Sequence, residues 1–163
     1  MRNLRVILSF AGLLTAAPFC IAAQVTVPFA VSATVVRGCI IATTNLAFGS
    51  YPAVATGPTV LATSTIQVTC ELGDTYTIGL DDGINRAGSQ RRMARTVAPV
   101  NYLNYNLFRN AARTLPWGDN GGTRVNAIGT GGVQSYTVFG QLPGAQIVPA
   151  GAYVDTVTVT VRN

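Results

Sequence analysis

The chain has 163 residues and a formal net charge of +5, yet charged residues make up only 10% of it, against about 25% in a typical soluble domain. It has no histidine and no lysine; every cation is arginine. These absences exclude a Ser-His-Asp triad, a Cys-His pair, a histidine zinc site, a Walker lysine, a lysine Schiff base and a Lys-Asn isopeptide crosslink.

What is abundant points to sheet. Val, Ile and Thr number 19, 9 and 20; their branched side chains lose freedom in helices and pack well on pleated surfaces. Seventeen Gly and eight Pro supply turns, and Glu71 is the sole glutamate. The composition predicts one all-β domain.

Residues 1–23 read as a secretory signal peptide. Arg2 and Arg5 form a basic head, residues 6–14 an apolar run, and Ala16, Ala17, Ala22 and Ala23 its small-residue end. The run is too short for a good membrane span, and no stretch of about 20 apolar residues follows it. Cleavage after Ala23 leaves Gln24 first, although Ile21 is not the small residue usual three positions back; Phe19 argues against lipidation at Cys20. Removal takes two arginines, leaving nine against six acids, a charge of +3. Cys39 and Cys70 remain, an even pair in an oxidising compartment; the expectation is a disulfide, the alternative two buried thiols.

Residues 24–35 alternate strictly. Val25, Val27, Phe29, Val31, Ala33 and Val35 fall on one face, the period-2 signature of a strand. Further strands are predicted over 46–51, 65–70 (Ile66, Val68 and Cys70 inward), 76–80, 102–108, 133–139 and 153–161. The Asp81-Asp82-Gly83 turn, the loop over 115–122 and the Gly129-Thr130-Gly131-Gly132 turn lie between them. About seven short strands suggest a β-sandwich. The first mature strand has an apolar face to bury, either within its own domain or by β-augmentation in a neighbour.

Arg86, Arg91, Arg92 and Arg95 lie in a stretch without acids and are a possible anion patch; the plainer reading is a solvated hairpin, since no aromatics interleave. Asp81, Asp82, Asp119 and Asp155 lack the spacing of a calcium loop and read as turn, cap and hydrogen-bonding residues. No catalytic residue, cofactor or metal site is expected, and no nucleic-acid partner.

The chain resembles the spore coat protein U family, whose other members are subunits of archaic chaperone–usher pili. The resemblance rests on Gly38-Cys39, Leu46-Ala47-Phe48-Gly49-Ser50-Tyr51, Val68-Thr69-Cys70, Tyr105-Asn106-Leu107-Phe108, Trp117-Gly118-Asp119 and the run from Pro149-Ala150-Gly151 through Tyr153, Asp155 and Val157 to Val161. It implies that residues 24–163 form an incomplete immunoglobulin-like β-sandwich lacking one strand. A periplasmic chaperone would cover the gap, and at an outer-membrane usher the N-terminal strand of the next subunit would replace it. Here that donor strand is 24–35, with Val25, Val27, Phe29, Val31, Ala33 and Val35 facing the groove. Pro28 departs from the pattern, because it cannot donate a ladder hydrogen bond. The implied product is a structural subunit of a secreted cell-surface fibre, supporting adhesion or biofilm formation and bound head to tail to copies of itself or to sister subunits. The alternatives are a spore or cell coat structural protein and a sugar-binding adhesin subunit.

Overall fold

The structure, a computed structural model, describes residues 30–33 and 38–163. Nine strands follow in order: β1 (Ile40–Thr43), β2 (Val60–Thr69), β3 (Thr75–Leu80), β4 (Arg91–Arg95), β5 (Tyr102–Phe108), β6 (Val125–Ile128), β7 (Gln134–Leu142), β8 (Tyr153–Val154) and β9 (Val159–Arg162); one short 3-10 turn covers Gly121–Thr123. They form a six-stranded sheet in the order β1-β2-β7-β5-β4-β8 and a three-stranded sheet in the order β6-β3-β9. The strand pairs are antiparallel. No helix among the described residues is long and apolar enough to cross a membrane.

Period-2 patterning explains the central strands. Ile66 and Val68 of β2, Leu103, Tyr105 and Leu107 of β5, and Val138 and Leu142 of β7 turn into the core from the larger sheet. Tyr76, Ile78 and Leu80 of β3 meet them from the smaller one. Most of them alternate with polar or less buried neighbours, as strands with one buried face do, although Gly79 is buried as well. Trp117, 1% exposed, closes the core from the loop after β5; its indole N–H donates to the Ile78 carbonyl at 3.1 Å. Cys39 and Cys70 are joined in a disulfide that ties the residue before β1 to the end of β2.

The strand bounds differ from expectation at several places. β1 is a fully exposed edge strand, so it has no apolar periodicity to read. Residues 46–51 keep their inward alternation but belong to no ladder; Leu46 and Phe48 pack on the core as a loop, and Gly49 takes φ +70°. β4 and β6 are additional strands, one disguised by its arginines and one only four residues long. The last strand is two: residues 155–158 leave the larger sheet and enter the smaller one, bonding on the way to the turn after β3 rather than to a strand.

Candidate functional site

The smaller sheet covers only part of the larger. β9 pairs with β3 and has no second strand partner among the described residues. β1 likewise pairs only with β2. Two adjoining cavities, of about 490 and 610 Å³, lie along the opening and share Leu46, Phe48, Met93 and Tyr153. One wall is the stretch that continues β1, residues 43–48. The other is residues 153–159, and the floor of the first cavity is Ile66, Tyr105, Leu107 and Val138. The result is a groove with an apolar floor, flanked by strands β1, β8 and β9, each with one strand neighbour among the described residues. Such a groove suits an extended apolar segment: the walls can bond its backbone and the floor can take alternate side chains.

Each wall is held by specific contacts. On the β1 side, Thr44 N–H donates to the Thr65 carbonyl at 3.0 Å, the Ser64 hydroxyl bonds the Thr44 carbonyl, and Phe48 meets the Tyr105 ring edge to face at 6.2 Å. Tyr51 anchors the far end, its hydroxyl donating to the Pro143 carbonyl at 3.0 Å and accepting from the Gln146 N–H at 2.8 Å.

The opposite wall is held by the Asp81-Asp82-Gly83 turn. Asp81 N–H donates to the Thr158 carbonyl, and Ile84 N–H to the Thr156 carbonyl. The Asp81 carboxylate accepts the N–H groups of Gly83 and Thr158 at 3.0 and 2.9 Å. Burial pushes its pKa up, but these hydrogen bonds outweigh burial and hold it below the ordinary aspartate value. Asp155 accepts the Tyr105 hydroxyl at 2.6 Å and both the N–H and side-chain amide of Asn85 at 3.2 and 3.0 Å. Burial, then the bond to Asp155, drives the Tyr105 phenol well above its ordinary pKa. A Cβ on Gly83 would stand 2.0 Å from an Asp155 oxygen, and the residue has φ +80°, so only glycine fits there.

Arg91 was the least legible residue of the site's support. It is 7% exposed. Its Nε donates to the Asp81 carbonyl at 2.8 Å, and its Nη2 to the carbonyls of Leu80 and Trp117, both at 2.9 Å, and again to that of Asp81. Burial draws its pKa down from the ordinary arginine value. Arg91 is therefore withdrawn from any anion patch. Arg86 donates to the Gly88 carbonyl. Arg92 donates to the carbonyls of Asn85 and Arg86 and covers the Tyr102 ring at 4.0 Å. Arg95 donates to the Ala150 carbonyl. The stretch is thus strand β4 and its lead-in turn, with its guanidinium groups directed at backbone.

Among the described residues no three His, Cys, Asp or Glu converge as a metal site. Asp119 instead takes a bidentate pair from Arg162 at 2.6 and 2.8 Å and a third bond from Arg124 at 3.1 Å. Of the expected donor residues, Val25, Val27, Phe29 and Val35 lie outside the described residues. Val31 and Ala33 are described and carry no regular secondary structure.

The sequence profile described as the Spore Coat Protein U domain matches residues 25–160. Protein U of Myxococcus xanthus is 35% identical over 127 residues, covering 72% of this chain and 70% of that protein. The fold is similar to one in the crystal structure of the CsuC–CsuE chaperone–tip adhesion subunit pre-assembly complex from archaic chaperone-usher Csu pili of Acinetobacter baumannii. There the TM-score is 0.58 and the identity 27%, over 80% of this chain and 40% of that one; this chain spans about two fifths of its length. The Escherichia coli Hda pilus minor tip subunit HdaB aligns at 14% identity and TM-score 0.43, over 75% of this chain and 79% of that one.

Proposed function

Because the chain belongs to the Spore Coat Protein U domain family, we propose that it is a structural subunit of a chaperone–usher pilus that polymerises by donor-strand complementation. The observation that carries this reading is the apolar groove between residues 43–48 and 153–159, whose strands β1, β8 and β9 each have one strand partner among the described residues. An exposed apolar groove beside free strand edges is an aggregation hazard unless something covers it. In this reading a periplasmic chaperone covers it first, and at the outer-membrane usher residues 24–35 of the next subunit replace the chaperone. Val25, Val27, Phe29, Val31, Ala33 and Val35 then present one apolar face to the floor. Each subunit both gives and receives a strand, so the contact is head to tail and propagates into a fibre.

Residues 1–23 serve as the export signal and residues 24–163 as the subunit. The role is structural rather than catalytic, and the fibre supports adhesion of cells to surfaces and biofilm formation. Deleting 24–35 tests the assignment. With a chaperone co-expressed, the shortened subunit should be recovered soluble but should form no polymers in electron micrographs, whereas the complete mature chain should self-polymerise. Long polymers from the shortened subunit would refute the donor assignment. A coat structural protein is the second reading, favoured by the family's description; adjacent chaperone and usher genes separate the two.

A further inference from the structure

A separate cavity of about 610 Å³ opens between the turn over residues 81–89 and the loop over 115–123. Of its lining it shares Leu107 alone with the two cavities of the groove. Both walls are fixed. The turn is bonded to residues 155–158 and to Arg92, as described above. In the loop, Trp117 N–H donates to the Leu107 carbonyl at 2.9 Å, Gly118 N–H to the Thr123 carbonyl at 3.3 Å, and the Gly118 carbonyl accepts the Leu80 N–H at 3.2 Å. A cavity of this volume between fixed walls falls in the range of small-molecule sites.

Several polar groups in this lining are unspent. Arg91, only 7% exposed, lines the cavity. Its hydrogen bonds leave from Nε and Nη2; Nη1, with two N–H groups, donates to nothing among the described residues. A buried donor without an acceptor is costly, and an acceptor supplied from the cavity relieves that cost. Asp81 spends its carboxylate on backbone, whereas the neighbouring Asp82 carboxylate accepts no hydrogen bond among the described residues. The Asn120 side chain makes no capping bond to the 3-10 turn that it precedes, and the Ser89 hydroxyl likewise bonds nothing among the described residues. Both line the cavity, and Pro116 and the half-buried Phe108 add apolar surface to the same lining.

This set of groups selects its ligand. The Asp82 carboxylate repels a phosphate or carboxylate, and the Arg91 guanidinium repels a metal ion. What fits is an uncharged molecule that donates and accepts hydrogen bonds at once and also has an apolar face. A sugar ring meets all three demands. Neighbouring hydroxyls donate to one carboxylate, ring and hydroxyl oxygens accept from a guanidinium, and the C–H face packs on apolar side chains. We propose that this cavity binds a neutral saccharide unit, with Asp82 and Arg91 as its charged hydrogen-bonding partners and Asn120 and Ser89 as its neutral ones. The site stands apart from the groove, so it does not rest on the donor-strand reading.

The test is saturation-transfer NMR on the complete mature chain with the methyl glycosides of glucose, galactose and mannose, each at up to about 50 mM. Trp117, the sole tryptophan, lines the cavity and gives a fluorescence titration of the same binding. At least one glycoside should receive saturation on its ring protons, with an affinity that stays the same between low and high salt, as for an uncharged ligand. Asp82→Ala and Asn120→Ala should each weaken it, the first by about tenfold or more. Neither side chain holds the fold, so both variants should melt within about 2 °C of the wild type and polymerise as it does. No saturation transfer to any of the three glycosides would overturn the site. So would unchanged affinity in Asp82→Ala, which would place the sugar elsewhere. Tighter, salt-sensitive binding of glucuronate or inorganic phosphate would make the cavity an anion site and overturn it equally. None of these outcomes alters whether the chain polymerises, so the fibre reading stands or falls separately.

Discussion

Breaking the Cys39–Cys70 bond should act on stability and on the groove at once. The bond joins residues 31 apart in sequence. In the chain-entropy treatment, closing a loop of that size constrains the unfolded chain by roughly 3.7 kcal/mol at 25 °C. In a domain of this size each kcal/mol moves the melting temperature by roughly 2–4 °C, so the bond corresponds to about 7–15 °C. The geometry adds a local effect. β1 is an exposed edge strand of four residues that pairs only with β2, and the groove wall over 43–48 continues from it. The assay compares the double variant Cys39→Ala, Cys70→Ala with the wild type, oxidised and reduced, by thermal melting and by titration with a peptide of residues 24–36. Using both substitutions avoids leaving a lone thiol in the core, where Cys70 is buried. The variant should melt lower by the amount above and bind the peptide more weakly. A drop under about 2 °C would refute the loop-entropy argument, since it is well below the ~7 °C floor just worked out. A full drop with unchanged peptide affinity would refute the claim that the bond steadies the groove wall.

Two further outcomes follow from the buried arginine and the acid pairs. Arg91→Ala leaves the carbonyls of Leu80, Asp81 and Trp117 short of their donor and should cost about 3 kcal/mol or more in chemical denaturation, because each buried acceptor without a partner costs roughly 1–3 kcal/mol. Arg91→Lys should recover only part of this, since an ammonium cannot present the planar fork; full recovery would show that the fork is not what matters. For acid, both Asp119 (chiefly through its bond from Arg162) and Asp81 have folded-state pKa values below the ordinary one. A depressed carboxylate contributes stability that is present above its unfolded pKa of about 3.9 and is lost as pH falls through the folded value. The urea midpoint should therefore be flat across pH 5–7 for these groups and fall below about pH 4. Asp119→Asn should lessen that fall, and an identical slope in the variant would contradict the assignment.

The sequence makes an element legible where one face is buried and the other wet, and illegible otherwise. Ile66 and Val68, Tyr76, Ile78 and Leu80, and Tyr105 and Leu107 all point inward as their alternation predicts. β1 offered no such signal because all four of its residues are exposed. The stretch over 46–51 shows the converse: its alternation is real burial without a ladder, since Leu46 and Phe48 pack on the core from a loop. The break at 155–158 depends on Asp81 and Asn85, some seventy residues away. No local pattern encodes a partner at that distance. The groove is hidden for the same reason, because its walls, residues 43–48 and 153–159, lie more than a hundred residues apart and meet only in the packed fold.

The lysine-free composition then takes on a specific meaning. A fold of short strands and long irregular connections leaves many loop carbonyls outside any ladder, and those withdrawn from water need a donor. Arg86, Arg91, Arg92, Arg95, Arg109 and Arg113 all donate to backbone carbonyls, while Arg124 and Arg162 meet at Asp119. A guanidinium carries five N–H groups in one plane and can bridge two or three carbonyls of neighbouring turns; an ammonium is a compact, strongly hydrated point charge. Arg91 does this across the end of β3 and the Trp117 loop, and Arg109 does it across Gly122 and Arg124. Among the described residues, the arginines therefore spend their donors largely within the chain. Within the run weighed in sequence as a solvated hairpin or an anion patch, Arg91 and Arg92 bond the turn over 81–86 that holds one wall of the groove.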